Sequence, residues 1–241
     1  FVGKKLNICV IPARGGSKRI PRKNIKEFNG KPIIAYSIEA ALNSGLFSEV
    51  MVSTEDDEIA EISRYYGAVV PFMRSEKNSD DFTGPGDVAF EVLTKYSELG
   101  RHFDDCCCIY ATSPLLTISR LSEGLDLLSN SKYDVVFPVG KYSSPIWRSC
   151  KLDAKSGVRM NFPEYEKSRS QDLPDAYFDA GQFYWFHAQN IFNIDNKNIF
   201  GENKGVIILD DIEVQDIDNL DDWQIAEIKQ DYLMQKSVKN V

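Results

Sequence analysis

Two hydrophobic periods alternate along this chain. The β-branched run LNICVI at 6–11 predicts a strand, and Ile33, Ile34, Ile38, Ala41 and Leu42 then recur at helical spacing within a helix predicted over about 32–44. EVMVS at 49–53 predicts a second strand, DDEIAEISRYY an amphipathic helix with acids at its electropositive start, and AVVPFM at 68–73 a third strand. A helix over about 87–99, a buried strand CCCIY at 106–110, the helical stretch LTISRLSEGLDLLSN and the strands YDVVFPV, QFYWF and GVIIL complete the pattern. No repeat or low-complexity linker interrupts it. The alternation predicts an α/β chain with a doubly wound, mainly parallel sheet, in one domain over residues 1–241. Ligands of such sheets sit beyond the carboxyl ends of the strands, where the long loop after the first strand begins.

The pattern fails over about 140–176, where prolines, polar residues and short strand-like pieces predict a β-rich insertion or lid. Trp147, Met160, Phe162 and Tyr165 in this segment would leave much apolar area on a monomer, which predicts burial against a partner subunit in a homodimer.

Composition narrows the function. No segment is long and apolar enough to span a bilayer and the N-terminus has no apolar signal-peptide core, so a cytoplasmic location without a membrane partner is expected. The five cysteines, Cys9, Cys106, Cys107, Cys108 and Cys150, lack metal-ligand or secreted-disulfide spacing and read as buried small hydrophobes. A net charge of −8 argues against a general nucleic-acid surface. Any polyanion must be held locally, and one stretch can do so. Arg14, Lys18, Arg19, Arg22, Lys23, Lys26 and Lys31 face Glu27 alone between residues 14 and 31.

Within that island, Gly15 and Gly16 permit close backbone approach, and Arg14 and Lys18 can neutralise phosphate charge, so the loop reads as a triphosphate cradle. Its spacing is neither that of a Walker A loop nor that of the dinucleotide fingerprint. A solvated basic loop is the bland alternative.

The run IPARGGSKRIPRKN at 11–24 resembles the N-terminal signature of the CMP-sialic acid synthetase family, cytidylyltransferases that activate nonulosonic acids with CTP. The following GKPIIAYSIEAALNSGLFSEVMVSTEDDEIAEISRYYGA, together with ATSPL and QDIDNLDDW, extends the resemblance over nearly the whole chain. IYATSP, SRSQDLPDAY and DAGQFYW are similar to the branch acting on pseudaminic acid. The resemblance implies a Rossmann-like nucleotidyltransferase sheet, with the insertion serving as dimerisation element and sugar-pocket lid. It places Arg14, Gly15, Gly16, Ser17, Lys18, Lys23 and Asn24 on the CTP loop, and Thr83 and Asp87 near the cytosine and ribose. Asp87 has an equally good reading as a helix cap.

Asp216 and Asp218 in QDID are two residues apart, so in an extended segment both carboxylates project from one face. Paired hard oxygen donors suit Mg²⁺, and the resemblance puts the activating metal on this pair. The alternative is that Asp218 caps a helix beginning near Leu220. For the sugar, the resemblance implies Tyr110, Arg169, Gln171 and Gln182, with Arg148 as a second cation toward the substrate carboxylate. Gly181 would let backbone approach the ligand, and one of Phe183 and Tyr184 is expected in the core. His102 and His187 have no triad or ligand spacing and are read as surface or core-edge residues.

The implied reaction is in-line attack of a nine-carbon 2-keto sugar acid's anomeric hydroxyl on the α-phosphorus of CTP, with Arg14, Lys18, Asp216 and Asp218 stabilising charge. The base is open between a metal-activated hydroxyl and Asp216 acting through water. A legionaminic or sialic acid enzyme, and a non-catalytic nucleotide-binding homologue, are the alternatives.

Overall fold

A computed structural model describes residues 5–80, 82–153, 157–192 and 201–239. Its centre is a seven-stranded mixed sheet. Strand β1 (Asn7–Pro12) lies between β4 (Glu49–Ser53) and β5 (Asp105–Ile109), parallel to both. On the other side, β6 (Val135–Lys141) runs parallel to β11 (Lys204–Leu209) at the sheet edge. Strand β10 (Phe183–His187) joins the two halves, antiparallel to β5 and to β6. A two-residue hairpin, β2 (Glu27–Phe28) with β3 (Lys31–Pro32), leads into the first helix.

Alternation within the strands divides the core between two faces. Cys9, Ile11 and Cys107 join Phe183 and Trp185 beneath α1 (Ile33–Ser44), α2 (Asp57–Tyr65) and α4 (Ile118–Ser129). Ile8, Val10, Cys106 and Cys108 join Tyr184 and Phe186 against α3 (Pro85–Glu98). Because both faces are covered, Phe183 and Tyr184 are both buried, where one had been expected. A third cluster seats Ile20, Phe28 and Ile33 on Ile217 and on Trp223 of α5 (Leu220–Lys239). None of the helices among the described residues is long and apolar enough to cross a membrane.

Three expectations are corrected. AVVPFM forms no strand: Val69 makes an isolated bridge with Met51, and Pro71, lacking an N–H, ends the pairing. Cys150 is exposed, because it opens the two-stranded β7 (Cys150–Asp153) and β8 (Gly157–Met160) outside the main sheet, whereas the other four cysteines are buried. The insertion aromatics are not bare on one chain. Trp147 packs on Phe162 and Tyr165 at centroid distances of 5.5 and 5.8 Å, and its Nε1 donates to the Pro174 carbonyl. The exposed apolar pair is Leu152 and Val158, directly opposite each other on β7 and β8, at 87% and 63% exposure. Residues 154–156 of the insertion lie outside the described residues. The chain returns through β9 (Tyr177–Asp179), antiparallel to the end of β6.

Gly124 shows how tightly α4 sits on the sheet. A Cβ there would lie 2.8 Å from Trp185 Cδ1 and 3.0 Å from Phe183 Cε2, two fully buried rings. Helix propensity alone favours alanine over glycine by about 1 kcal/mol. Overpacking at a site this close should instead make Gly124→Ala less stable by about 1–3 kcal/mol. Urea unfolding measures it, and a variant as stable as the parent would mean that α4 can shift.

Candidate active site

The loop after β1 is held by its own backbone and by the β4–α2 junction. The Asn24 amide donates to the Arg14 carbonyl at 2.9 Å, and the Gly15 N–H donates to Glu55 Oε1 at 2.8 Å. Arg22 adopts a left-handed backbone conformation, φ 56°, and its guanidinium meets Asp56 through both terminal nitrogens. Hydrogen bonds from Arg22 hold the Asp56 carboxyl below its ordinary pKa, and the same carboxylate caps α2 by accepting from Ile59 N–H at 3.0 Å. A Cβ at Gly15 would collide with the Asp56 carboxylate, so this position requires glycine. At Gly16 a Cβ meets nothing within 4 Å, so its freedom serves no neighbour in the chain.

These ties shape a cleft of about 380 Å³ at the carboxyl ends of β1 and β5. Arg14, Ser17, Lys18, Lys23 and Asn24 line the cleft from the loop, Thr83 and Gly84 from the start of α3, and Tyr110 and Asp218 also line it. Arg14 Nη1 reaches across to the Asp80 carbonyl at 3.2 Å. Lys23 Nζ donates to the Ile217 carbonyl at 2.8 Å, joining the loop to the QDID segment. Burial lowers the Lys23 pKa, although the Asp218 and Asp216 carboxylates pull the other way. Asp87 does not line the cleft and is not the cap residue of its helix. It is the third residue of α3, whose cap is Gly84 and whose first residue is Pro85.

Asp216 and Asp218 both line an adjoining cavity of about 570 Å³, while Ile217 between them is buried. The one-face geometry expected of an extended segment is present. The cap of α5 is Asn219, whose Oδ1 accepts from the Asp221 and Asp222 N–H groups at 2.8 and 3.0 Å. The Asp218 backbone N–H donates to Asp222 Oδ2 at 3.0 Å, but its carboxylate takes no part in the cap, and its Oδ2 pairs with Arg19 Nη1 at 2.7 Å. Burial and then the Asp218 charge raise the pKa of Asp216. Two carboxylates on one face of the segment are hard oxygen donors of the kind Mg²⁺ takes from protein, one or two at a time; among the described residues no group of three or more potential ligands is present.

Of the five sugar-contact residues expected from the sequence, the structure puts only Tyr110 on the cleft wall. Burial pushes its pKa up to about 12. Gln182 is buried behind it, with its carbonyl accepting from Tyr110 N–H at 2.8 Å and its Nε2 donating to the Glu213 carbonyl at 2.5 Å. Gly181 has φ 61° and a Cβ there would make only ordinary contact with Tyr110, so the turn rather than ligand approach requires glycine. Arg148, Arg169 and Gln171 are exposed on the insertion. Arg148 reaches Ser170 at 3.4 Å and Arg169 grips Asp172 at 2.7 and 3.0 Å. Gln171 lines a separate hollow beside Tyr142.

Sequence reasoning missed Arg74. It lines the cleft while only 8% exposed, donates through Nε to Ser53 Oγ at 3.1 Å and also to the Ser53 carbonyl, and has its pKa lowered by burial. An arginine closing an apolar run was the only available signal. His187, by contrast, pairs with Asp105 at 2.6 Å at the far, amino-terminal end of β5, and His102 is exposed.

A family model described as cytidylyltransferase matches residues 8–236. A pseudaminic acid cytidylyltransferase of Campylobacter jejuni is 42% identical over 92% of this chain and 95% of its own length. A CMP-N,N'-diacetyllegionaminic acid synthase of Legionella pneumophila is 31% identical, over 91% and 94%. Among solved structures, a CMP:2-keto-3-deoxy-manno-octonic acid synthetase complexed with CTP has the same fold, with a TM-score of 0.68 at 17% identity over 96% of this chain and 99% of that one. The chain belongs to the cytidylyltransferase family.

Proposed function

We propose that this protein transfers CMP from CTP to a nonulosonic acid, pseudaminic acid before any other. The observation that carries the reading is one cleft in which the anchored basic loop meets Asp218 at the carboxyl ends of parallel strands, in a chain 42% identical to a pseudaminic acid cytidylyltransferase.

Arg14 and Lys18 face the phosphates of CTP, Ser17 and Asn24 complete that wall, and Lys23 ties it to the acidic segment. Gly15 offers its amide only when the Glu55 carboxylate yields it. Thr83 and Arg74 face the nucleoside, Arg74 offering donors to the acceptor edge of a pyrimidine. Asp216 and Asp218, with phosphate oxygens, would hold a divalent cation such as Mg²⁺, which when bound offsets phosphate charge. The anomeric oxygen forms a bond to the α-phosphorus, the α–β bridging P–O bond breaks, and pyrophosphate leaves as the hydroxyl proton is lost. Positioning and preorganised charge lower this barrier.

Two copies assemble through the insertion. Leu152 and Val158 form an apolar pair on a two-stranded ribbon too small to be stable alone. Arg148, Arg169 and Gln171 then approach the sugar from the partner side of the interface.

Incubation with CTP, Mg²⁺ and pseudaminic, legionaminic or sialic acid in turn should release pyrophosphate fastest with the first. No pyrophosphate with any of them would leave a binding protein.

Asp218→Asn and Asp216→Asn should each lower kcat/KM by more than the roughly 10–100-fold typical of an outer-shell metal partner, with unfolding midpoints unchanged. Near-normal Mg²⁺-dependent turnover in both would take the pair out of the mechanism.

Arg14→Ala should cost about 2–4 kcal/mol of transition-state stabilisation, and Arg19→Ala much less, since Arg19 is 71% exposed. Steady-state kinetics compare them, and equal losses would mean a diffuse basic patch.

Light scattering should give twice the mass of one chain. The double variant Leu152→Asp, Val158→Asp should fall toward the single mass while keeping its affinity for CTP. A wild-type protein of single-chain mass at micromolar concentration would end the dimer reading.

A further inference from the structure

The cavity that Asp216 and Asp218 share holds a cation that the reaction as proposed does not use. Lys229 reaches it from the middle of α5, a helix seated on the molecule by the buried side chains of Trp223, Ala226 and Gln230. Its Nζ donates to the Asp211 carbonyl at 2.9 Å and to the Val214 carbonyl at 2.6 Å. The 3-10 turn Asp211–Glu213 between those carbonyls is itself anchored. Arg120 grips the Glu213 carboxylate at 3.1 and 2.7 Å, and Gln182 Nε2 donates to the Glu213 carbonyl. An ammonium group has three protons to donate. Two are committed to this turn, and among the described residues no partner takes the third. Burial lowers the Lys229 pKa, although Asp211 pulls the other way, so two neutral carbonyls leave the charge undercompensated.

Four carboxylates, those of Asp211, Asp216, Asp218 and Asp222, line the same cavity. An anionic substrate brought up to Asp216 and Asp218 is repelled there unless a cation faces it. The other lysine of the cavity, Lys141, already pairs with Asp175 at 2.7 Å and is half exposed. Arg148, the cation expected from the sequence to meet the substrate carboxylate, does not line the cavity. The remaining wall is aromatic. The Phe178 ring lies over Gly140, where a Cβ would be 2.5 Å from its Cζ, and stands 4.9 Å from the Tyr142 ring, centroid to centroid. One cavity thus joins an ionic side to an apolar one, as a sugar acid does.

We infer that Lys229 is a substrate-binding residue whose remaining N–H takes the carboxylate of the sugar acid and so sets the neighbouring anomeric hydroxyl beside Asp216 and Asp218. This rests on the reading of the chain as a sugar-acid cytidylyltransferase, and it adds the residue that reads the acid. In a 2-keto sugar acid the carboxyl carbon is bonded to the anomeric carbon. A cation fixed on one therefore positions the other.

The test pairs whichever of pseudaminic, legionaminic and sialic acid turns over fastest with its C1 carboxamide, which keeps the ring and the anomeric hydroxyl but not the negative charge. With the wild-type protein the carboxamide should lose at least about tenfold in kcat/KM, the range of a hydrogen bond to a charged group. Lys229→Met should raise the KM for the acid about 10–100-fold, leave the KM for CTP unchanged and shrink the acid-to-carboxamide ratio to about threefold or less. Lys229→Gln, which keeps donors for the turn carbonyls but not the charge, should behave likewise, and it serves if the methionine weakens the seating of α5. Calorimetric CTP affinity and the unfolding midpoint report whether each variant is intact. Intact variants that keep the wild-type ratio would mean that another group reads the carboxylate, and equal turnover of acid and carboxamide by the wild-type protein would mean that none does. Either result overturns the inference and leaves the transferase reading standing. Release of no pyrophosphate by the wild-type protein with any of the three acids would overturn that reading and the inference with it.

Discussion

The pairing of Arg22 with Asp56 fixes the geometry on which the cleft depends. A loop of seven basic residues in a protein of net charge −8 has no reason to stay in one shape unless something outside it sets its path. Asp56 does so from the start of α2, where its carboxylate already has a capping duty. By also receiving Arg22 it draws the loop onto a rigid helix end, close enough that Gly15 cannot carry a side chain. Glu55, one residue earlier, takes the Gly15 amide, and Asn24 takes the Arg14 carbonyl. The loop's cleft-lining cations thus acquire a set path from contacts made elsewhere along the same backbone, which is the condition for charge to act as an oriented site.

The acidic wall is balanced by the same logic. Asp216 and Asp218 crowd each other, which raises the pKa of Asp216 after burial has already done so, and Lys23 and Arg19 stand against them. Lys23 is committed to the Ile217 carbonyl, so it acts as a strut between the two walls as well as a charge. Arg19 is mostly solvent-exposed and its pair with Asp218 is correspondingly weak.

Much of this was legible in the sequence wherever the signal was local. The β1–loop–α1 unit, β4, β5, α4 and the one-face pair Asp216 and Asp218 follow from periodicity and spacing within a dozen residues. What escaped depends on partners far along the chain. AVVPFM has the composition of a strand, but Pro71 stops the ladder after one bridge to Met51. The direction of β10 is set by its two neighbours, and its run QFYWF reads the same either way. Arg74 enters the cleft because Ser53, 21 residues earlier, holds its guanidinium. The exposure of Cys150 follows from where the β7–β8 ribbon sits, and no property of cysteine announces it.

The two halves of the site differ in how much of each a single chain supplies. Of the loop residues expected to meet the triphosphate, Arg14, Gly15, Lys23 and Asn24 are tied by hydrogen bonds within one chain, beside the central strands. Of the residues proposed for the sugar, Tyr110 lines the cleft just after β5, while Arg148, Gln171 and Arg169 stand on a ribbon-bearing insertion whose own pairing is two strands deep. On the proposed reading, substitutions on that insertion change which sugar fits without disturbing the sheet that carries the basic loop. A family with one nucleotide and several acids needs that separation, and in this chain it coincides with the boundary between the central sheet and the segment from β7 to β9.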